Sequence, residues 1–231
     1  MAPTHPLDNV LWTALSTSQS QLALGDTLAR RFRPEYAVFA GMPARTPAAF
    51  DALAALMQPG EVVALAEVDD VDPGPRLDVL EHKNLVQMVG PARGGLVDAA
   101  RFVELGPDDV PAMSELVALT APGPWFARTA EIGRFVGFKT QGRLVAMVGE
   151  RLRVPGHCEI SAVCCHPEFR GRGLPADMMR LASQAIVARG DVPFLHVLAE
   201  NASAIALYDK LGFVVRQRRR LAILRRNEAA G

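Results

Sequence analysis

The sequence predicts an α+β fold, and three observations along its 231 residues support this. Short strand patterns follow one another through residues 134–165, which is typical of an antiparallel meander. Apolar residues at 174–189 recur at the spacing of an amphipathic helix. A Gly- and Pro-rich stretch at residues 90–95 indicates a linker. We expect a mixed, mostly antiparallel sheet flanked by helices in residues 96–231, preceded by a smaller α/β domain in residues 1–95.

The predicted elements of the N-terminal domain are short. Thr46 before Pro47 is typical of a helix start, because the hydroxyl can cap the first turn and proline fits its geometry. Pro59-Gly60 then ends that helix. The predicted elements are a helical stretch at residues 7–24, a helix at 48–57, strands at 61–66 and 85–89, and a surface loop at 69–75.

The predicted elements of the C-terminal domain alternate more regularly. Gly106-Pro107-Asp108-Asp109 is typical of a helix start, and Gly190 and Gly212 are suited to helix ends. The predicted elements are strands at residues 101–105, 134–140, 143–152, 158–165 and 194–198, helices at 106–119, 174–189 and 202–211, and a final hairpin within 213–224.

Charge and cysteine content argue against several classes of function. Lys plus Arg and Asp plus Glu number 25 each, so no overall field draws the protein to nucleic acid or to an anionic membrane. Cys158, Cys164 and Cys165 lack a C-x-x-C spacing, which argues against a disulfide framework and a metal site. Residues 1–9 lack the pattern of a secretory signal, and no stretch approaches about 20 consecutive apolar residues. We expect a cytoplasmic protein with reduced thiols.

A candidate phosphate site follows one predicted strand. Arg170-Gly171-Arg172-Gly173 lies between this strand and the start of a predicted helix. There, backbone N–H groups and the helix N-terminus can hold a phosphate, and glycine lets the ligand approach the backbone closely. Taken alone, the same residues favour a turn that caps the helix. The neighbouring residues favour the phosphate site.

Residues 160–174 read Ile-Ser-Ala-Val-Cys-Cys-His-Pro-Glu-Phe-Arg-Gly-Arg-Gly-Leu, and residues 195–213 contain Leu-His-Val, a helix from Asn201 and a closing Leu-Gly-Phe. In order and spacing, these segments resemble the strand, R-x-x-G-x-G/A loop, strand and helix of the GNAT acetyltransferase superfamily. The form is most similar to the FR47-like proteins and the ribosomal-protein alanine acetyltransferases. The motifs cover residues 160–213. The N-terminal third matches no motif, although some two-part GNAT proteins carry a degenerate second copy there.

The resemblance implies acetyl-CoA as the cofactor. It implies that strand residues 163–165 pair with the pantetheine arm and that the loop and helix start hold the pyrophosphate. Arg170 and Arg172 would add charge, although a solvated loop arginine is an alternative for Arg170. Pro175 departs from the family's Gly or Ala, and its missing N–H removes one donor. The residues implied in coenzyme A binding are Val163, Cys164, Cys165, Arg170, Gly171, Arg172, Gly173, Leu174, Pro175, Ala176, Asn201 and Tyr208.

Acetyl transfer to an amine needs a base, an oxyanion donor and an acid to converge. Tyr208 stands at the family's tyrosine position and is the predicted acid for the departing thiolate. It lies on the same helix as Asn201, about two turns further on, so both can face the cofactor. The alternatives are an N-cap role for Asn201 and a half-buried core position for Tyr208.

Three residues are candidates for the base. His196 stands where subgroup members with an identified base on this strand have glutamate, and an imidazole can take a proton near neutral pH. Glu159 is the second candidate and Glu150 the third. The alternatives are a satisfied half-buried histidine and plain strand-surface carboxylates. Cys164 and Cys165 lack a histidine–acid partnership, so direct transfer is expected, with backbone N–H groups beside Cys164 stabilising the oxyanion.

Two further features have alternative interpretations. The cluster Arg216-Gln217-Arg218-Arg219-Arg220, with Arg225 and Arg226, is basic enough to touch nucleic acid or an acidic substrate. It lacks stacking aromatics, so a solvated hairpin face is the favoured interpretation. Trp125 and Phe126 fall where GNAT proteins have a variable substrate wall, and they suit a core or loop-anchoring role equally well.

The sequence therefore predicts an acetyl-CoA-dependent N-acetyltransferase whose acceptor is a primary amine of a protein N-terminus, a lysine or a small molecule. One alternative is a noncatalytic acyl-CoA-binding or sensing module, in which Pro175 and His196 mark the loss of activity. Another is an interaction protein that docks through its N-terminal domain. No sequence feature specifies the acceptor or the oligomeric state, for which a homodimer is considered.

Overall fold

The computed structural model describes residues 5–67, 72–90 and 97–228. The α-helices are α1 (Val10–Ser16), α2 (Pro47–Ala55), α3 (Val110–Thr120), α4 (Leu174–Ala188) and α5 (Ala202–Lys210). The strands are β1 (Ala23–Gly25), β2 (Arg30–Phe32), β3 (Phe39–Gly41), β4 (Val62–Glu67), β5 (Leu77–Val89), β6 (Val103–Glu104), β7 (Phe135–Thr140), β8 (Arg143–Val154), β9 (His157–Cys165), β10 (Val192–Leu198) and β11 (Val214–Arg226). Over the described residues, no helix has the length and apolar character needed to cross a membrane.

The strands form one sheet in the order β1-β2-β3-β4-β11-β5-β10-β9-β8-β7-β6. β3 and β4 are parallel, as are β9 and β10, whereas the other neighbouring strands described are antiparallel. Along β8, Ala146 and Val148 face the core that contains α4, while Met147 faces the core that contains α3. Because strand side chains alternate, the two helices lie on opposite faces of the sheet. The predicted α+β fold is confirmed.

The predicted helix starts are also confirmed. The Thr46 hydroxyl accepts a hydrogen bond from the Ala49 N–H at 3.2 Å, and Pro47 occupies the first turn of α2. At the start predicted at residue 106, the side chain of Asp109 accepts a hydrogen bond from the Gly106 N–H at 3.0 Å. Residues 107–109 form a 3-10 turn there, and α3 follows directly. Both helices begin where a local side chain satisfies a backbone N–H that the helix leaves unpaired.

The final hairpin predicted within residues 213–224 is wrong, because this segment is the single strand β11. Between Val214 and Arg226 there is no Gly, Pro, Asn or Asp, so nothing in the segment favours a reversal. β11 lies between β4 and β5 and pairs with both, and its pairing with β5 extends along the whole strand.

The basic cluster is also placed differently from the predicted solvated hairpin face. Arg219 is 3% exposed, and its Nη2 donates to the carbonyl oxygens of Leu7 at 2.9 Å and Asp8 at 2.6 Å. Nη1 of Arg216 donates to Oε1 of Gln87 at 2.8 Å. Arg218 is exposed, as the prediction requires. Arg219 therefore holds the N-terminal segment against the sheet, because one guanidinium can satisfy several carbonyl oxygens at once.

Two predicted details differ in the first half of the sheet. The patterns do not reveal β1, β2 and β3, because strands of three residues are too short to show an alternation. The strand predicted at residues 101–105 is reduced to β6. Residues 99–101 form a 3-10 turn instead, in which the Asp98 side chain accepts a hydrogen bond from the Ala100 N–H at 3.2 Å.

Both predicted domains contribute strands to the one sheet. β4 and β5, from residues 1–95, flank β11, and β10 pairs with the other side of β5. The predicted linker lies outside the described residues apart from Gly90, as do residues 69–71 of the predicted surface loop and the first four residues. The division at residue 95 and the idea of a degenerate N-terminal copy stay predictions.

Gly149 on β8 allows close packing beside β9. A Cβ atom built there would lie 2.1 Å from Cε1 of Phe135 on β7, far inside van der Waals contact. Gly149 also pairs with Ser161 of β9. The ring of Phe135 can therefore lie directly on the backbone of the strand that supports β9.

We expect Gly149→Ala to lower the free energy of unfolding by about 1–3 kcal/mol, because the new methyl group overlaps the Phe135 ring. Urea denaturation monitored by circular dichroism measures this. Gly106→Ser is the control, since a Cβ there meets no atom within 4 Å and serine is a favoured N-cap. We expect the control to stay within about 0.5 kcal/mol of the unchanged protein. Equal losses for both variants would contradict the packing role of Gly149.

Candidate active site

The sheet splits between β9 and β10. Their parallel pairing extends from Val192 and His157 to Phe194 and Glu159, after which β9 follows β8 and β10 follows β5. In β9, Ala162 has a left-handed backbone with φ of 51°, and the register with β8 shifts there. Such a bulge bends its strand. The two strands therefore diverge and leave a slot walled by backbone N–H and C=O groups.

A glycine loop follows β9 at one end of this slot. Gly171 and Gly173 have φ of 75° and 77°, a conformation that favours glycine. A Cβ atom at either position would meet nothing within 4 Å, so the loop borders open space. The 15-residue helix α4 begins directly after it, and the N-terminus of a helix stabilises an anion. The backbone here fits a phosphate group.

The side chains around the loop supply positive charge. Arg170 and Arg172 are exposed, and the Arg172 guanidinium lies 4.7 Å from the centre of the Phe169 ring. Pro175 lies in the first turn of α4, where the missing N–H breaks no helical hydrogen bond. Leu174 is 2% exposed, so only its backbone can face a ligand. Pro175 is thus sterically compatible with the site, but it provides no backbone N–H donor for a phosphate.

Asn201 and Tyr208 lie on α5. Oδ1 of Asn201 accepts a hydrogen bond from the Ala204 N–H at 3.1 Å, so this side chain caps the helix as the alternative interpretation expects. Tyr208 packs on the core beneath α4, and the centre of its ring lies 6.2 Å from the centre of the Phe213 ring. Burial raises the pKa of Tyr208 to about 12. The phenol is therefore protonated at neutral pH and can donate a hydrogen bond.

His196 and Glu159 are brought together where the strands diverge. Nδ1 of His196 lies 2.7 Å from Oε1 of Glu159, and the two side chains are 6% and 0% exposed. Arg151 donates to both oxygens of Glu159 at 2.8 Å. Burial alone would raise the pKa of Glu159, but the charge and hydrogen bonds of Arg151, together with His196, lower it to about 2. The carboxylate is ionised, and its bonds lie within the protein.

Gln87 binds the second ring nitrogen of His196. Nε2 of Gln87 lies 3.1 Å from Nε2 of His196, and Oε1 of Gln87 accepts a hydrogen bond from Arg216. An amide nitrogen can only donate, so this network makes Nε2 of His196 the acceptor and leaves the proton on Nδ1, which donates to Glu159. In this arrangement, the lone pair that a base would use is directed at Gln87.

Glu150, the third candidate base, lies beside the C-terminal end of α4. It is 4% exposed and accepts hydrogen bonds from Arg189 at 2.8 Å and Arg153 at 3.2 Å. The Cys158 thiol lies 3.4 Å from Oε2 of Glu150. Burial, with Glu150 nearby, raises the pKa of Cys158 to about 12, and burial raises that of Cys164 to about 11. Neither thiol is ionised at neutral pH, which fits a structural role better than a nucleophilic one.

A narrow cleft opens beside the bulge. Its lining includes Trp125, Ile132, Phe135, Arg151, Ser161 and Ala162. Nε1 of Trp125 donates to Oγ of Ser114 at 3.0 Å, and the indole meets the Phe135 ring edge to face with centres 5.6 Å apart. Trp125 is therefore a fixed apolar wall. The N–H of Phe126 donates to Oγ1 of Thr129 at 2.8 Å, which anchors the loop.

Sequence reasoning missed Arg151 and Gln87. Gln87 interrupts the apolar run Leu-Val-Gln-Met-Val, and Arg151 follows Glu150 between the apolar residues Val148 and Leu152. A buried polar group needs a hydrogen-bonding partner, so such positions are signals of a network. The partners are set by the register of β5, β9 and β10, which the sequence alone does not show.

Comparisons with known proteins agree with this arrangement. The family model described as FR47-like protein matches residues 135–221, which include every predicted catalytic and coenzyme A-binding residue. Over 82 residues, the chain is 34% identical to the N-alpha-acetyltransferase RimI of Mycobacterium tuberculosis (strain ATCC 25618 / H37Rv). That alignment covers 34% of this chain and 51% of the relative, so the chain spans about half the length of the curated protein it matches.

Solved structures extend the similarity to nearly the whole chain. A crystal structure from Novosphingobium aromaticivorans DSM 12444, described as an acetyltransferase from the GNAT family, superposes with a TM-score of 0.89 at 41% identity, covering 97% of this chain and 100% of that one. A GCN5-related N-acetyltransferase from Kribbella flavida superposes with a TM-score of 0.58 at 14% identity, covering 94% and 96%, and shows the fold alone. On the full-length match at 41% identity, the chain belongs to the GNAT family of acetyltransferases.

Proposed function

We propose that the protein is an acetyl-CoA-dependent N-acetyltransferase that transfers an acetyl group directly to a primary amine. The observation that carries this proposal is the slot between β9 and β10, which leads to the glycine loop and the start of α4. An edge of unpaired backbone groups suits an extended arm that carries amides, and a helix N-terminus suits a pyrophosphate. The relative named N-alpha-acetyltransferase supports an amine as the acceptor.

Most of the binding would come from the backbone. N–H and C=O groups at Val163, Cys164 and Cys165 would pair with the amide-bearing arm, and those of residues 171–176 would hold the pyrophosphate. Arg170 and Arg172 would add charge from the loop, and Asn201 would lie beside the arm at the start of α5. Bound acetyl-CoA supplies an activated acetyl thioester.

Tyr208 would donate its phenol proton towards the departing sulfur. A raised pKa keeps the phenol protonated, and the low exposure of the site strengthens a hydrogen bond to a developing charge. Backbone N–H groups beside the bulge at Ala162 would donate to the carbonyl oxygen, which gains charge during attack.

The base stays a prediction. His196 would need Gln87 to release Nε2 before that nitrogen can take a proton, and Glu159 is bound by Arg151. The apolar cleft reduces the demand on any base, because burial disfavours the charged ammonium form of the acceptor. Cys158, Cys164 and Cys165 are free, which supports the further proposal of a cytoplasmic location.

Two measurements together test the function. Isothermal titration calorimetry with acetyl-CoA is expected to show binding, and thiol release with a panel of primary amines is expected to show turnover. Binding without thiol release would favour the noncatalytic acyl-CoA module. No binding at millimolar acetyl-CoA would overturn both readings.

Gly173→Ala is expected to weaken acetyl-CoA binding by about 10-fold, because a Cβ atom is strained at a φ of 77° and relief of that strain turns the N–H groups away from the ligand. Calorimetry measures this. Gly190→Ala is the matched control, since Gly190 has a φ of 85° and open space but lies at the far end of α4. If both variants bind acetyl-CoA alike, the loop does not hold the cofactor.

Tyr208→Phe is expected to lower kcat by about 100-fold while acetyl-CoA binding stays nearly intact, because only the proton donor is removed. Steady-state thiol release and calorimetry separate the two effects. Tyr36→Phe is the control, since Tyr36 is the other tyrosine of the chain and belongs to a different core. An unchanged kcat for Tyr208→Phe would remove this residue as the acid.

A further inference from the structure

Arg151 brings an unused hydrogen-bond donor to the cleft beside the bulge. Its Nε and Nη2 donate to the two oxygens of Glu159, whereas Nη1 has no hydrogen-bonding partner among the described residues. The side chain is 18% exposed and Arg151 lines the cleft. Most of this guanidinium is therefore enclosed while one nitrogen still lacks an acceptor.

The position of this guanidinium is held from several sides. Its Cζ atom lies 4.7 Å from the centre of the Phe39 ring, and Glu159 holds it with two hydrogen bonds. Glu159 is held in turn by His196, and His196 by Gln87. A donor fixed in this way loses little freedom when it binds a ligand, so it can discriminate between ligands.

We propose that Arg151 recognises the acceptor by donating a hydrogen bond from Nη1 to an oxygen atom of the acceptor. This oxygen is attached to the carbon next to the one that carries the amine. The acceptor class is then a primary α-amine with a carbonyl or carboxylate group, whose apolar side chain lies against Trp125 and Phe135. The inference rests on the proposed N-acetyltransferase function and deepens it by naming the acceptor. His196 is a positioning residue in this scheme, acting on Arg151 through Glu159.

The charge balance explains why a neutral carbonyl suffices. The ion pair of Arg151 and Glu159 has no net charge, so Nη1 acts as a directed donor more than as a free cation. Glu150 also lines the cleft, but its oxygens are bound by Arg189 and Arg153. Among the described residues that line the cleft, a polyamine or a lysine ε-amine would find no accessible carboxylate for a second cation, and it would bring no oxygen partner for Nη1.

The first test uses the unaltered protein with leucinamide, leucine and 3-methylbutylamine, which share one apolar side chain. The last amine lacks any oxygen. With rates expressed per concentration of neutral amine, we expect kcat/KM to be at least about 10-fold higher for leucinamide or leucine than for 3-methylbutylamine. The values of kcat/KM for leucinamide and leucine, compared with each other, show whether Nη1 binds an amide carbonyl or a carboxylate better. Equal values for all three amines would overturn the role of Arg151 while leaving acetyl transfer established.

The second test replaces the donor itself. Arg151→Lys keeps a positive charge beside Glu159 but lacks Nη1, so we expect the preference for leucinamide over 3-methylbutylamine to fall to near unity with acetyl-CoA affinity retained. Arg153→Lys is the matched control, because Arg153 is an arginine of the same strand that binds Glu150 instead. A preference that survives in Arg151→Lys would overturn the proposal. Thiol release with none of the amines would overturn the proposed function and this inference with it.

The positioning role of His196 has its own readout. The side-chain amide of asparagine can place an N–H donor near the position of Nδ1 of His196, but it has no atom at the position of Nε2. His196→Asn should therefore keep most of the preference for leucinamide that His196→Ala loses. We expect the alanine variant to raise KM for leucinamide with little change in kcat. Equal losses of kcat in both variants, with a shifted pH profile, would instead make His196 the base and overturn the positioning role.

Discussion

The left-handed backbone of Ala162 is the constraint on which the site depends. A residue with a Cβ atom pays about 1–2 kcal/mol in that region, and such a conformation persists only where the surrounding structure enforces it. Here β8 pairs with β9 on both sides of the bulge, and Gly149 lets β7 pack closely behind. Without the bulge, β9 could continue beside β10 and its backbone groups would be used within the sheet. A small local strain thus keeps a row of hydrogen-bonding groups available for a ligand.

The second organising feature is a chain of polar side chains through the sheet. It runs from Arg216 through Gln87, His196 and Glu159 to Arg151, each bound to the next. Buried polar groups are tolerated because every step satisfies a donor or an acceptor, and low local polarity strengthens each contact. The chain joins β11, β5, β10, β9 and β8. The N-terminal part of the protein therefore contributes directly to the surroundings of the site, through Gln87.

Local signals explain what the sequence predicts well. Thr46 before Pro47, Gly106 before Pro107 and the glycines of residues 170–173 act through their own backbone or immediate neighbours, so their effects can be recognised without the fold. The remaining features depend on distant partners. The contact of Gln87 with His196 joins residues 109 positions apart, and no local pattern encodes it. The solvated face predicted for the arginines of β11 fails in the same way at Arg219, whose carbonyl partners Leu7 and Asp8 lie more than 200 residues away.

The place of β11 bears on how the chain acquires its structure during synthesis. β4 and β5 are separated in the sheet by β11, which the ribosome makes after the other strands described. Until then both have an open edge, and an open edge is a template for pairing with other chains. Closing the gap requires contacts between distant parts of the sequence, which form slowly. The nascent protein is therefore exposed to misassembly until β11 emerges, and a chain truncated before β11 would keep that exposure permanently.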